Sequence, residues 1–340
     1  MNTMILGAIV LLVAGILQGS FGLGMKNYKP LSWEAFWALY SILGMVIFPI
    51  IWVRLEVPNF MEYIIATPTK VLLISSICGF LWGITAIGFG KAIDFIGMSL
   101  TYGISMGISA AVGSWVPLLM MNQLPPRKII IGLAIGTVVM LCGVYVITKA
   151  GIINEKEKPG DIETANKSKI FKLGLILTII AGVGSAAQNI GFSYAGYASN
   201  LAIESGVNPT SASLICWIIV FSGGIISNLG YAVYLLIKNK TYTQYFEKGI
   251  LNAYVKVIIT SIVWICALAI YGKSTAILGS LGTVVGWIGF NALALIVSNG
   301  WGLKTGEWSK STRAKKVLLY GNVVLILSWT IIGVVNGASL

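Results

Sequence analysis

Ten apolar runs of roughly twenty residues, nearly all free of charged side chains, follow one another along this chain, and no other feature limits its fold so severely. A run of that length crosses a bilayer core of about 30 Å as an α-helix. Lipid offers no hydrogen-bond partner to an open backbone, so a helix is the structure such a run adopts there. Only 10% of the 340 residues are charged, whereas soluble domains carry about a quarter. The fold class that follows is an all-α polytopic membrane protein with ten transmembrane helices.

Splitting the runs at turn residues places the helices near 4–25, 35–53, 71–90, 97–121, 129–148, 173–196, 209–237, 251–272, 275–303 and 317–336. The first carries no basic flank and no cleavage signal, so it is expected to be retained as a helix. Lys and Arg fix the expected direction of the crossings. Arg54, Lys70, Arg127, Lys128 and Lys273 fall after even-numbered helices, and the remaining 18 of the 23 fall after odd-numbered ones. The richer side is cytoplasmic, which puts both termini outside. This scatter through short loops, with no basic patch among aromatics, argues against nucleic acid as the reason for the net charge of +12. The polar stretch NEKEKPGDIETANKSK becomes a cytoplasmic linker, 151–171, between halves 1–150 and 172–340.

The halves are diverged copies. Shifting the chain by 182 positions lays 80–107 on 262–289 with six identities: Trp82/Trp264, Gly90/Gly272, Lys91/Lys273, Gly97/Gly279, Thr101/Thr283 and Gly107/Gly289. A shift of 167 lays 6–25 on 173–192 with six more, Ala14-Gly15 on Ala181-Gly182 among them. Five helices per copy is an odd number, so the second copy is inverted, the arrangement typical of secondary transporters. On this reading Gly90-Lys91 and Gly272-Lys273 mark one hairpin turn used once on each face, and the two lysines are candidate gating residues. Asp94 has no counterpart, since Ala276 takes its place. It is a candidate for proton coupling together with Glu204 and Glu34, each at a helix margin.

Several chemistries are excluded. The chain has no histidine, and its four cysteines lie far apart within apolar runs, so no metal site, cofactor site or disulfide framework is expected. YGKST lacks the earlier glycine of a phosphate-binding loop, because position 267 is Ala. No nucleophile–base set is present, and the chain is not expected to be an enzyme. The membrane centre instead holds neutral amides, Gln18, Gln188, Asn189, Asn228 and Asn291, with Trp82, Tyr102, Trp264 and Trp287 at similar depth. Amides that donate and accept, beside aromatic faces, suit a neutral polyhydroxylated ligand. The same groups also tie helices together in membranes.

The strings KPLSWEAFWALYSILGMVIFPI, VPNF, LWGI, FIGMSLTYGISMGI, ESGVNP, GGIISNLGY and GEW, in order along the whole chain, resemble the bacterial L-rhamnose–proton symporters of the drug/metabolite transporter superfamily. The resemblance implies a bacterial inner-membrane protein of ten helices with both termini outward. It implies that helices one to four and six to nine line the cavity while five and ten pack outside. By the same resemblance the cargo is a 6-deoxyhexose such as L-rhamnose, carried inward with protons. Proton coupling rests on the resemblance alone; sodium coupling, uncoupled transport, another small metabolite, or a sugar-binding receptor that does not transport are the alternatives.

Overall fold

A computed structural model describes residues 3–121, 123–157, 165–309 and 311–337. Among them there is no strand, and helices follow one another with short connections. They are α1 Thr3–Ser20, α2 Trp33–Ile42, α3 Phe48–Glu56, α4 Phe60–Ala66, α5 Thr69–Ile96, α6 Met98–Leu119, α7 Arg127–Lys156, α8 Ala165–Glu204, α9 Pro209–Asn239, α10 Leu251–Leu278, α11 Gly282–Lys304 and α12 Thr312–Gly337. Among the described residues, nine helical stretches are long and apolar enough to cross a membrane. One of the nine, Leu251–Lys304, has 54 residues. At 1.5 Å per residue it would be about 80 Å long if unbroken. It breaks instead at the short 3-10 turn Gly279–Leu281 into α10 and α11.

α2 and α3 form one stretch, Trp33–Glu56, joined through a π-helical turn at Leu43–Ile47. Pro49 explains the turn. Its ring has no N–H to give and collides with a carbonyl one turn back, so the preceding turn widens.

The hairpins differ from the sequence expectation. Lys91 and Lys273 are not turn residues; each lies inside a helix, about a turn and a half before its end. The chain reverses at Gly97 and Gly279, whose φ values are +84° and +79°. L-residues are disfavoured at such angles, so glycine at both repeat positions is a backbone requirement. The linker 151–171 is also shorter than expected, because α7 runs to Lys156 and α8 starts at Ala165; positions 158–164 lie outside the described residues.

Glycine sets how closely the helices approach. A Cβ on Gly79 of α5 would stand 1.8 Å from the Val220 carbonyl oxygen, and one on Gly223 of α9 would stand 1.7 Å from that of Ser76. Backbones touch there, as small residues permit in membrane helices. α1 packs on α10 and α11, α8 packs on α5 and α6, and α7 packs on α12. At one face α1 begins, α3 ends and α10 ends, with Ser274 donating to the Gly7 carbonyl at 2.9 Å. This is the Lys273 face. The opposite face, where α5 ends, is the Lys91 face.

Candidate functional site

Two indoles mark the centre of the bundle. Trp82 of α5 and Trp264 of α10 stack with centroids 5.7 Å apart and planes 6° from parallel. Tyr40 lies 5.5 Å from Trp264, and Phe221 lies 5.3 Å from the same ring. Glycine makes room for the pair: a Cβ on Gly44 would come within 3.1 Å of Trp264, and one on Gly224 within 2.9 Å of Trp82.

Beside this stack is a cavity with about 490 Å³ of space between atoms, of which about 50 Å³ admits the centre of a water molecule. Its lining follows helical periodicity. Trp82, Ala86 and Phe89 come from one stripe of α5, and Ala181, Ser185 and Gln188 from one stripe of α8. α1 supplies Gln18, α6 supplies Ser105 and Met106, α2 supplies Trp37 and Tyr40, and Phe21, Met25, Met45 and Trp264 complete the wall. No residue of α7 or α12 lines it among the described residues. Neither α9 nor α11 contributes to the wall, unlike the resemblance-based expectation that helices seven and nine would do so.

Three polar atoms at this wall have no hydrogen-bond partner: Gln18 Oε1, Ser105 Oγ and Gln188 Nε2. Their residues are 7%, 1% and 3% exposed. Leaving a buried polar group unpaired costs about 1–3 kcal/mol. Three at one small cavity, including an acceptor, a donor and a hydroxyl, form a set waiting for a polar ligand.

Of the candidate binding residues, Gln18, Trp82, Gln188 and Trp264 are thus brought together. The other five are not among the residues of its wall. Asn189 lies next to Gln188, but consecutive helical residues point about 100° apart. Its amide donates to the carbonyls of Gly113 (2.9 Å) and Thr283 (3.2 Å), and its oxygen accepts from the Tyr271 hydroxyl at 2.6 Å. Asn228 donates to Gly224 and accepts from the Trp37 indole at 2.9 Å. Trp287 donates to Ser109, and Asn291 donates to the Trp287 carbonyl. Tyr102 stands one layer behind the wall, its hydroxyl 3.2 Å from the Gln18 carbonyl.

The two lysines lie on opposite sides of this centre. Lys273 donates to both oxygens of Glu56, at 2.7 and 2.5 Å. The same carboxylate accepts from Ser211 of α9 (2.7 Å) and from the Trp52 indole (2.6 Å). α3, α9 and α10 are thereby joined at the Lys273 face. Lys91 has no such acid. It sits 5.3 Å from the Trp33 ring centre and 5.1 Å from that of Tyr231, and donates to the Tyr231 hydroxyl at 3.2 Å. Asp94, three residues on, is exposed and lines a separate cavity at that face. Glu204 is exposed at the end of α8. Among the described residues neither joins two helices in an ion pair, whereas Glu56, the last residue of α3, does. Glu34 ties α2 to the other end of α9, but through neutral donors, Asn239 (2.9 Å) and Thr241 (2.8 Å).

The signature of the family described as L-rhamnose-proton symport protein matches residues 1–338. The L-rhamnose-proton symporter of Escherichia coli O1:K1 / APEC is 26% identical over 346 residues, covering 98% of each chain, and that of Shigella boydii serotype 18 is similar to the same extent. A solved crystal structure matches with a TM-score of 0.55 at 14% identity, covering 96% of this chain and 95% of that one. At that identity the likeness concerns the fold alone.

Proposed function

The chain belongs to the L-rhamnose–proton symport protein family, and from that premise we propose that it carries L-rhamnose together with a proton across the bacterial inner membrane by alternating access. The family is one of transporters, so the chain is not an enzyme. One observation carries the reading: the unpaired Gln18 Oε1, Ser105 Oγ and Gln188 Nε2 at a cavity walled by Trp82 and Trp264. A 6-deoxyhexose has hydroxyls that need both donors and acceptors, and C–H faces that pack on indole.

Ten crossings arranged as two inverted copies account for the packing. Counting Trp33–Glu56 as one crossing, and α10 and α11 as two, gives ten. Repeat mates then occupy matched positions. Trp82 and Trp264 stack on each other, and Gly97 and Gly279 both turn a hairpin at positive φ. A third register, 180 positions, joins Gly44 to Gly224, each pressed against the tryptophan of the opposite copy. α1 on α10 and α11 mirrors α8 on α5 and α6. The distribution of Lys and Arg supports a cytoplasmic Lys91 face, with both termini outward.

The mechanism follows from the two faces. Central cargo must reach one side at a time, so one face stays closed while the other opens. The Glu56–Lys273 pair holds the outer face, and Lys91 between Trp33 and Tyr231 holds the inner one. Protonation of Glu56 from outside cancels its attraction to Lys273 and releases the outer closure. That adds Glu56 to Asp94 and Glu204 as a candidate coupling carboxylate. The test is uptake of labelled L-rhamnose by proteoliposomes with an imposed inward proton gradient. Accumulation that an uncoupler collapses is expected. Binding without accumulation would indicate a receptor, and no L-rhamnose uptake by folded protein would overturn the reading.

A further inference from the structure

A second cavity opens at the Lys273 face between α8, the first turns of α9 and the α10–α11 turn. It holds about 750 Å³ of space between atoms, of which about 310 Å³ admits the centre of a water molecule. The central cavity offers only about 50 Å³ by the same measure. Its polar wall is made by Ser193, Ser199, Asn200, Ser213, Thr275, Ser280 and Thr283, and among the described residues no charged side chain lines it. From Ile203 near the mouth to Phe192 at the deep end is about 16 Å along α8. Ser280 is exposed at the hairpin, on the mouth side.

The hydroxyl chemistry is specific. Ser193 donates to the Asn189 carbonyl at 3.0 Å, and Ser213 donates to that of Thr210 at 2.8 Å. With their hydrogens engaged, both oxygens retain lone pairs that accept, while the Asn200 amide supplies donors. Neutral hydroxyl groups complement such a wall, and the absence of a charged lining residue disfavours a strongly ionic solute.

One turn of α8 separates this cavity from the central one. Gln188 lines the central cavity and Phe192 the outer one. Between them Asn189 is bonded to Gly113, Thr283 and Tyr271. Phe192 packs on Trp217 at 4.5 Å and on Tyr271 at 5.7 Å. At the Lys91 face the mates of Thr275, Ala276 and Gly279, which are Ile93, Asp94 and Gly97, line a cavity of their own, but its deep end is differently built. Met25, the repeat mate of Phe192, and Met98, the mate of Ser280, are both buried in the core.

We propose that this cavity is an antechamber which binds a neutral polyhydroxylated solute at the Lys273 face, and that Asn189, Tyr271 and Phe192 form the partition the solute passes to reach the centre. The inference rests on the transport reading above, with the Lys273 face outward.

Gly196 gives the test, because it lines the cavity and a Cβ there meets no atom within 4 Å. Gly196→Trp starts from a Cβ that meets no neighbour and places a large ring in the cavity. Labelled L-rhamnose uptake is measured in right-side-out and inverted membrane vesicles. The expected result is a KM raised about tenfold in right-side-out vesicles and unchanged in inverted ones, with Asn200→Leu shifting KM less but with the same sidedness. An equal shift in both orientations, or none in either, overturns the antechamber. A shift confined to inverted vesicles supports the antechamber and overturns its outward placement. Independently of transport, Ser280→Cys is labelled with a membrane-impermeant maleimide and read at position 280 by mass spectrometry. Saturating L-rhamnose is expected to slow labelling, and no protection overturns the site. Protected labelling without uptake by the wild type would instead fail the transport reading.

Discussion

Neutralising Glu56 is expected to open the Lys273 face. Its carboxylate and the Lys273 ammonium are 26% and 22% exposed, so the pair lies between two regimes. Exposed ion pairs contribute less than about 1 kcal/mol, whereas breaking a buried pair costs about 3–5 kcal/mol. The Ser211 and Trp52 hydrogen bonds place this latch above the exposed case, and partial exposure places it below the buried one. About 2 kcal/mol is a reasonable figure, equivalent to roughly a 30-fold change in the balance between closed and open. Glu56→Gln keeps the shape and removes the charge. The assay is alkylation of a Ser185→Cys variant lacking the four native cysteines, since Ser185 lines the central cavity. An impermeant reagent applied from the Lys273 side should label position 185 about 30-fold faster in Glu56→Gln, with Lys273→Met behaving alike. The charge swap Glu56→Lys with Lys273→Glu should return the rate toward wild type. An unchanged rate in Glu56→Gln, in protein that still binds sugar, would refute the latch.

Other perturbations separate ligand groups from structural ones. Gln188→Ala is expected to weaken L-rhamnose binding about tenfold while leaving the melting temperature in detergent unchanged or higher, since it removes a buried donor that has no protein partner. Asn189→Ala is expected to destabilise the fold by about 2 kcal/mol in the same melting assay, because it removes three hydrogen bonds and leaves the Tyr271 hydroxyl only a long one, 3.5 Å, to the Thr283 carbonyl. Gly223→Ala is expected to abolish monodisperse protein in size-exclusion chromatography, because its methyl would stand 1.7 Å from a backbone oxygen of α5. Lys91→Met removes a cation held by two rings worth about 0.5–2 kcal/mol. It is expected to speed labelling of position 185 from the Lys91 side and leave the other side unchanged.

Much of this was legible in the sequence because hydropathy and charge act locally. Apolar runs determine helices, and the 182-residue register aligns Trp82 with Trp264, two rings that stack in the fold. What escaped depends on direction and on distance along the chain. Gln188 and Asn189 are indistinguishable as adjacent amides, yet one helical step sends the first to the cavity and the second between α6, α10 and α11. The stripe Ala181, Ser185, Gln188 was the available signal, and Ser185 was missed for want of following it. The Gly-Lys pairs drew the eye to the lysines, although the turns need a residue at positive φ and the later glycines, Gly97 and Gly279, provide it. Glu56 and Lys273 are 217 residues apart, so no local pattern joins them.

The stack of Trp82 on Trp264 has a stereochemical corollary. On the inverted duplication proposed above, two like rings related by a near-twofold axis present a wall that is almost the same after a half-turn, and a sugar has no such symmetry. Aromatic contact there can grip a pyranose but gives little preference between a pose and its half-turn alternative. Orientation must be read where the copies have diverged. Gln18 faces a serine mate, Ser185; Gln188 has Phe21 as its mate; and Ser105 corresponds to Trp287. The three unpaired polar atoms therefore lie on residues that break the duplication, and handedness enters a nearly symmetric carrier through them.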